Sequence, residues 1–130
     1  MRHPPERWSR GSAVVEFALV LPLVFAVTLG LVQVGVLTRD RALVEAAARA
    51  GARAAAVAPD ETAVREAAAA AAPGLDASSM SVSVDRAGMQ GDPVTVSIAY
   101  EDPMRVPFIG WLVGTSVQLR ASAVMRQEYG

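Results

Sequence analysis

The chain has 130 residues, a formal net charge of −1, 52% hydrophobic residues and 5% aromatic ones. This length sets the scale of one small domain once a membrane segment is set aside. The balanced charge, with no basic face interleaved with aromatics, excludes a nucleic-acid partner. Cysteine is absent and the sole histidine, His3, lies in the N-terminal arm, so disulfides, thiolate zinc sites and lipid-modified cysteine are excluded. No metal, cofactor or catalytic residue is expected.

The mean hydropathy of +0.32 is concentrated near the N-terminus. Arg2, Arg7 and Arg10 against Glu6 make the first residues a basic arm. From Phe17 to Leu37 the run is apolar, interrupted only by Pro22, Thr28, Gln33 and two glycines. About 21 residues at about 1.5 Å each reach about 31 Å, enough to cross a hydrocarbon core. A cleaved secretory signal has a shorter apolar region and a small-residue site after it, which Thr38-Arg39-Asp40-Arg41 does not resemble. The pattern predicts a signal anchor, a single-pass membrane segment with the basic arm cytoplasmic and the rest of the chain outside. Pro22 removes one backbone hydrogen bond from this helix and favours a bend.

Ser12 is the expected N-cap of the helix, and Glu16 then lies about one turn inside it. An acid in a first turn gains about 0.3–1 kcal/mol from the macrodipole, so a solvated carboxylate at the headgroups is one reading of Glu16. The other uses Gly11. A cut between Gly11 and Ser12 removes the arm and leaves an α-ammonium at Ser12, close to Glu16. In lipid, a carboxylate on one helix and an ammonium on its neighbour are costly apart, so the pair can set register between subunits.

Thr38 to Ala58 is alanine-rich and continues the helix outward. Arg41–Glu45 and Glu45–Arg49 are spaced i,i+4 along it, and Pro59 ends it. Ala47, Gly51 and Ala55 form a small-residue stripe that permits close backbone approach; in so alanine-rich a segment the spacing also arises by composition alone. Asp60 is the expected cap of a second helix, Glu61 to about Ala72, closed by Pro73-Gly74. Three alternating runs follow, Met80–Val84, Val94–Tyr100 and Val117–Met125, which read as strands with one buried face. Met104–Val113, which holds Trp111, is expected either to cover the sheet or to present an apolar, membrane-proximal surface. Glu101 and Asp102 are adjacent and point to opposite faces of a strand, which makes them solvated strand-end charges rather than an acid–base pair.

Gly11, four residues and then Glu16-Phe17 before a hydrophobic helix resemble the prepilin-peptidase motif of type IVb pilins and pseudopilins. The run from Arg10 to Leu23, the segment Ala46–Ala55 and the closing Leu119–Arg126 resemble the TadE-like pseudopilins of tight-adherence (Flp) pilus systems. The resemblance implies that Gly11 ends the leader, Ser12 begins the mature chain, and Glu16 and Phe17 are the processing and assembly pair. It implies a pilin-like α+β fold: a leader (residues 1–11), a transmembrane helix (12–37), its helical extension (38–58) and a small extracytoplasmic domain (59–130) with about three antiparallel strands. The implied partners are a prepilin peptidase, other pilins and pseudopilins, the membrane platform of the pilus machine and the lipid bilayer. The competing function is a single-pass, membrane-anchored binding or sensory module that keeps its signal anchor.

Overall fold

The computed structural model describes residues 8–104 and 114–129, with side chains from residue 11 onward. The first element is a single helix, α1, Trp8–Val57, of 50 residues, about 75 Å long at about 1.5 Å per residue. It starts a turn earlier than Ser12. Pro4-Pro5 are the last strong breakers before it, and one glycine inside a helix costs only about 1 kcal/mol. Ser12 is therefore an interior residue rather than a cap, and the first turn holds no acid. The helix runs on through Pro22 and across residues 37–38 without a break, so the outward extension is the same rod.

Pro59 stops α1, and Asp60 opens α2, Glu61–Ala70, by accepting a 2.9 Å hydrogen bond from the Thr62 amide. The helix ends two residues short of Ala72, where Ala71 and Ala72 pass into the turn at Pro73-Gly74. Gly74 has φ 93°, a left-handed conformation that favours glycine. A one-turn 3₁₀ helix, Ala77–Ser79, capped by Asp76, leads into the sheet.

The sheet is antiparallel in the order β1-β2-β3, with β1 Met80–Arg86, β2 Pro93–Pro103 and β3 Ser116–Arg126. All three expected runs are strands, each longer than its apolar alternation. Val82, Ile98 and Ala121 lie in register, as do Val84, Val96 and Ala123. Alternation puts Val94, Val96, Ile98 and Tyr100 of the central strand on the buried face. The opposite face carries Ser81, Ser83, Ser97 and Ser122.

The core lies between that sheet face and the two helices. Val44, Ala47, Ala48, Ala52, Ala55 and Ala56 of α1 and Val64 and Ala68 of α2 pack with the β2 valines, Ile98 and Tyr100. Their spacing along α1 follows the helical period, so one stripe of the rod is buried and the rest stays open. A Cβ on Gly51 would lie 3.1 Å from Val96 Cγ1 and 3.5 Å from Val64 Cγ1. The Ala47-Gly51-Ala55 stripe is thus occupied by the chain's own distal domain. Gly51 beside Val96 and Gln33 beside Met104 show that β2 runs antiparallel to α1.

The far end of the domain is tied by hydrogen bonds. Glu128 N–H donates to the Ala56 carbonyl at 2.8 Å, which satisfies one carbonyl of the last turn of α1. Arg86 donates from Nε to the Tyr129 hydroxyl at 2.8 Å, and from Nη2 to the Ala58 and Pro59 carbonyls at 3.3 Å. The β1–β2 hairpin closes against the same tail, with the Gly91 amide on the Gln127 carbonyl and the Gln127 amide on the Asp92 carbonyl.

Candidate functional site

Gly11, Ser12, Glu16 and Phe17 lie on the lower part of α1, away from the domain. Every residue from 11 to 29 is exposed. Nothing lies within 4 Å of the position a Cβ would take on Gly11. The Ser12 hydroxyl donates to Glu16 Oε1 at 3.1 Å, one turn up the helix, and Phe17 is 65% exposed. The structure brings these four together on one bare helix end.

The Gly11–Ser12 peptide bond is helical here. A protease reads an extended chain, so cutting this bond requires the first turns to open. Glycine lowers the cost of that step, since it disfavours helix by about 1 kcal/mol relative to alanine. The exposed Ser12–Glu16 bond adds little against it. Gly11 and Ser12 are exposed and the domain packs far along the rod, so opening the helix at this bond disturbs no tertiary contact among the described residues.

Above this end the helix stays unpacked for five turns. The described residues hold one helix long and apolar enough to cross a membrane, Gly11–Val57, with a mean hydropathy of 2.4 over a window that is 0% buried in the molecule. Leu19, Leu23, Phe25 and Leu31 are between 59% and 74% exposed. Bulky apolar surface of this kind, bare all round, has an apolar solvent as its natural medium.

At the junction of rod and domain lies a set of polar groups, Gln33, Asp40 and Asp102, whose burial the residue pattern did not lead one to expect. Gln33 is 4% exposed and directs Nε2 at the Met104 sulfur, 3.5 Å away. The Asp40 side chain is fully buried, 3.2 Å from the Arg39 guanidinium, which is 59% exposed. Asp102 is fully buried as well, so its expected place as a solvated strand-end charge is wrong. It shares the parity of Val94 through Tyr100 and lies on their face, whereas Glu101 points outward and accepts a 2.8 Å bond from Ser116 Oγ. Met104 is half-buried; the remainder of the expected Met104–Val113 cover lies outside the described residues.

Among the described residues no group of three His, Cys, Asp or Glu side chains is placed to hold a metal ion. No curated protein and no solved structure matches the chain. A family model described as TadE-like protein matches residues 11–53, from the candidate processing glycine to two residues past Gly51. At the level of the family, this match supports a pilus-associated protein of the tight-adherence type. Through its long helix, over residues 11–53, the chain carries a TadE-like domain.

Proposed function

We propose that the chain is a minor pilin or pseudopilin of a tight-adherence (Flp, type IVb) pilus system, structural rather than catalytic. In this reading the N-terminal arm is cytoplasmic and the distal domain is outside. A prepilin peptidase cuts between Gly11 and Ser12, and the trimmed helix packs with those of other pilins on the membrane platform. One observation carries it: the Gly11–Glu16 motif lies on a helix half that the chain's own domain leaves bare, within the TadE-like match. A helix that covers none of itself is suited first to lipid and then to neighbouring helices.

Glu16 then has a defined part. Before the cut its carboxylate accepts the Ser12 hydroxyl. After it, Ser12 carries a cation one turn away, and between packed helices in lipid either charge left alone is costly. Intact mass of membrane-extracted protein, made with and without its peptidase, tests the processing step. The expected result is loss of Met1–Gly11 with the peptidase only. Gly11→Leu should abolish that loss, and an uncut chain under both conditions would return the protein to a plain anchored module. Glu16→Ala should insert normally yet fail to assemble; normal assembly would refute the register role.

A further inference from the structure

We infer that the distal domain sits directly on the bilayer, with the paired end of β2 and β3 against the phospholipid headgroups and no stalk between them. The inference rests on the membrane-anchored reading above and adds which end of the domain meets lipid. It follows from one contact and the length of the rod. Gln33 Nε2 touches Met104 Sδ at 3.5 Å, and the Met104 amide bonds the Thr115 carbonyl at 3.0 Å. The β2–β3 end is thereby fixed at the height of helix residue 33.

A hydrocarbon core of about 30 Å takes about 20 helical residues, and the headgroup layer adds about 5–7 Å on each side. If the core begins at Gly11, it ends near Gly30, and Gln33 lies about 4–5 Å above it, inside the headgroup layer. If it begins at Phe17, leaving Glu16 at the opposite surface, it ends near Val36, and Gln33 lies about 4–5 Å below its edge. In neither register does Met104 stand clear of lipid. Tilting the helix lowers the domain further.

Chemistry at this end agrees with the geometry. Pro103, Gly114, Thr115 and Ser116 are exposed and uncharged, and Met104 is half-buried. The one exposed carboxylate described nearby, Glu101, accepts from Ser116 Oγ at 2.8 Å and lies about 10 Å further up β2 than Met104, at or above the headgroups in either register. Arg39, two turns up, is 59% exposed and reaches the turn at Gly74, 3.3 Å from where a Cβ there would be. Its height above Gln33 is about 9 Å, within reach of phosphate oxygens for an arginine side chain. At the opposite end Met89, 79% exposed, lies beside the tail that bonds Ala56, about 35 Å further from the membrane along the rod.

The cysteine-free chain allows a direct test. Single variants Leu23→Cys, Met104→Cys, Thr115→Cys and Met89→Cys of the full chain are labelled with a fluorophore and placed in phosphatidylcholine–phosphatidylglycerol vesicles. Nitroxides on the acyl chains should quench Leu23, and nitroxides on the headgroups should quench Met104 and Thr115 several-fold more than Met89. Thr115 is exposed, so its label leaves the Gln33 contact intact and guards against a folding artefact at Met104. Quenching at Leu23 with Met104 and Thr115 as dark to lipid as Met89 would overturn the seating while leaving the anchor standing. An unquenched Leu23 would overturn both.

Discussion

The two halves of α1 share one backbone and oppose each other in everything their side chains do. Below Gln33 the rod is built of valine, leucine and phenylalanine and is bare on all sides; above it, alanine and glycine line one buried stripe. Size is therefore inverted relative to a soluble core: the large apolar residues are outside and the small ones inside. Lipid accepts bulk at no cost, whereas a sheet laid on a helix needs its backbone near. The bulk of the upper half's core comes instead from β2, through Val94, Val96, Ile98 and Tyr100.

The sharpest way to break this contrast is to truncate one large residue in each half. Ile98 is 1% exposed at the centre of the sheet, and Ile98→Ala should cost about 2–5 kcal/mol of domain stability. Leu19→Ala, at a position 74% exposed, should leave the domain's unfolding transition unchanged. Denaturation in detergent, followed by near-ultraviolet circular dichroism, measures both. Equal losses would mean that the bare half is packed after all.

Adding bulk reverses the experiment. Gly51→Leu drives a side chain into Val96, Val64 and Ala68, all within 3.7 Å of its first carbon, and should cost about 1–3 kcal/mol. Gly30→Leu, in the bare half, has nothing within 4 Å of its first carbon and should be neutral or slightly stabilising, since it removes a helix-disfavouring glycine. The same readout applies.

Third in size is the tie at the far end. Arg86→Ala removes the bonds to Tyr129, Ala58 and Pro59 and should cost about 1–2 kcal/mol. Amide hydrogen exchange should rise at Ala54–Ala58 and in the β1–β2 hairpin, and stay unchanged below Gln33.

Much of this was legible in residue order. The period-two runs named all three strands, Asp60 named the α2 cap, and the uninterrupted apolar run with its alanine-rich continuation named the rod. Three features were not legible, each for a physical reason. The helix start at Trp8 escaped because Ser12 is a good cap only if the chain leaves the helix there, and Trp8–Gly11 offers no residue that forces it out. What covers the Ala47-Gly51-Ala55 stripe escaped because small residues permit approach without saying by what. Asp102 escaped because its charge outweighed its parity; counting by twos from Val94 puts it on the buried face, as counting by sevens from Gln33 puts Asp40 there.

The smallest effect lies at the 3₁₀ turn before β1, where Asp76 accepts from both the hydroxyl and the amide of Ser78 at 2.7 and 2.9 Å. These bonds, the hydroxyl first and the amide second, hold its carboxyl below the usual 3.8. A carboxyl whose folded value is depressed stabilises the fold above its unfolded value and loses that contribution as pH falls through the folded one. The turn should therefore be intact at pH 5 and above and weaken below about pH 4. Asp76→Asn keeps an acceptor and removes the charge, so it should flatten this acid dependence while leaving neutral stability nearly unchanged. Following the Ser78 amide by nuclear magnetic resonance from pH 6 to pH 2 decides it: a shift that tracks pH in the parent and not in the variant assigns the titration to Asp76. The group is solvent-exposed, so the whole effect stays local to the turn, and neither half of α1 should respond.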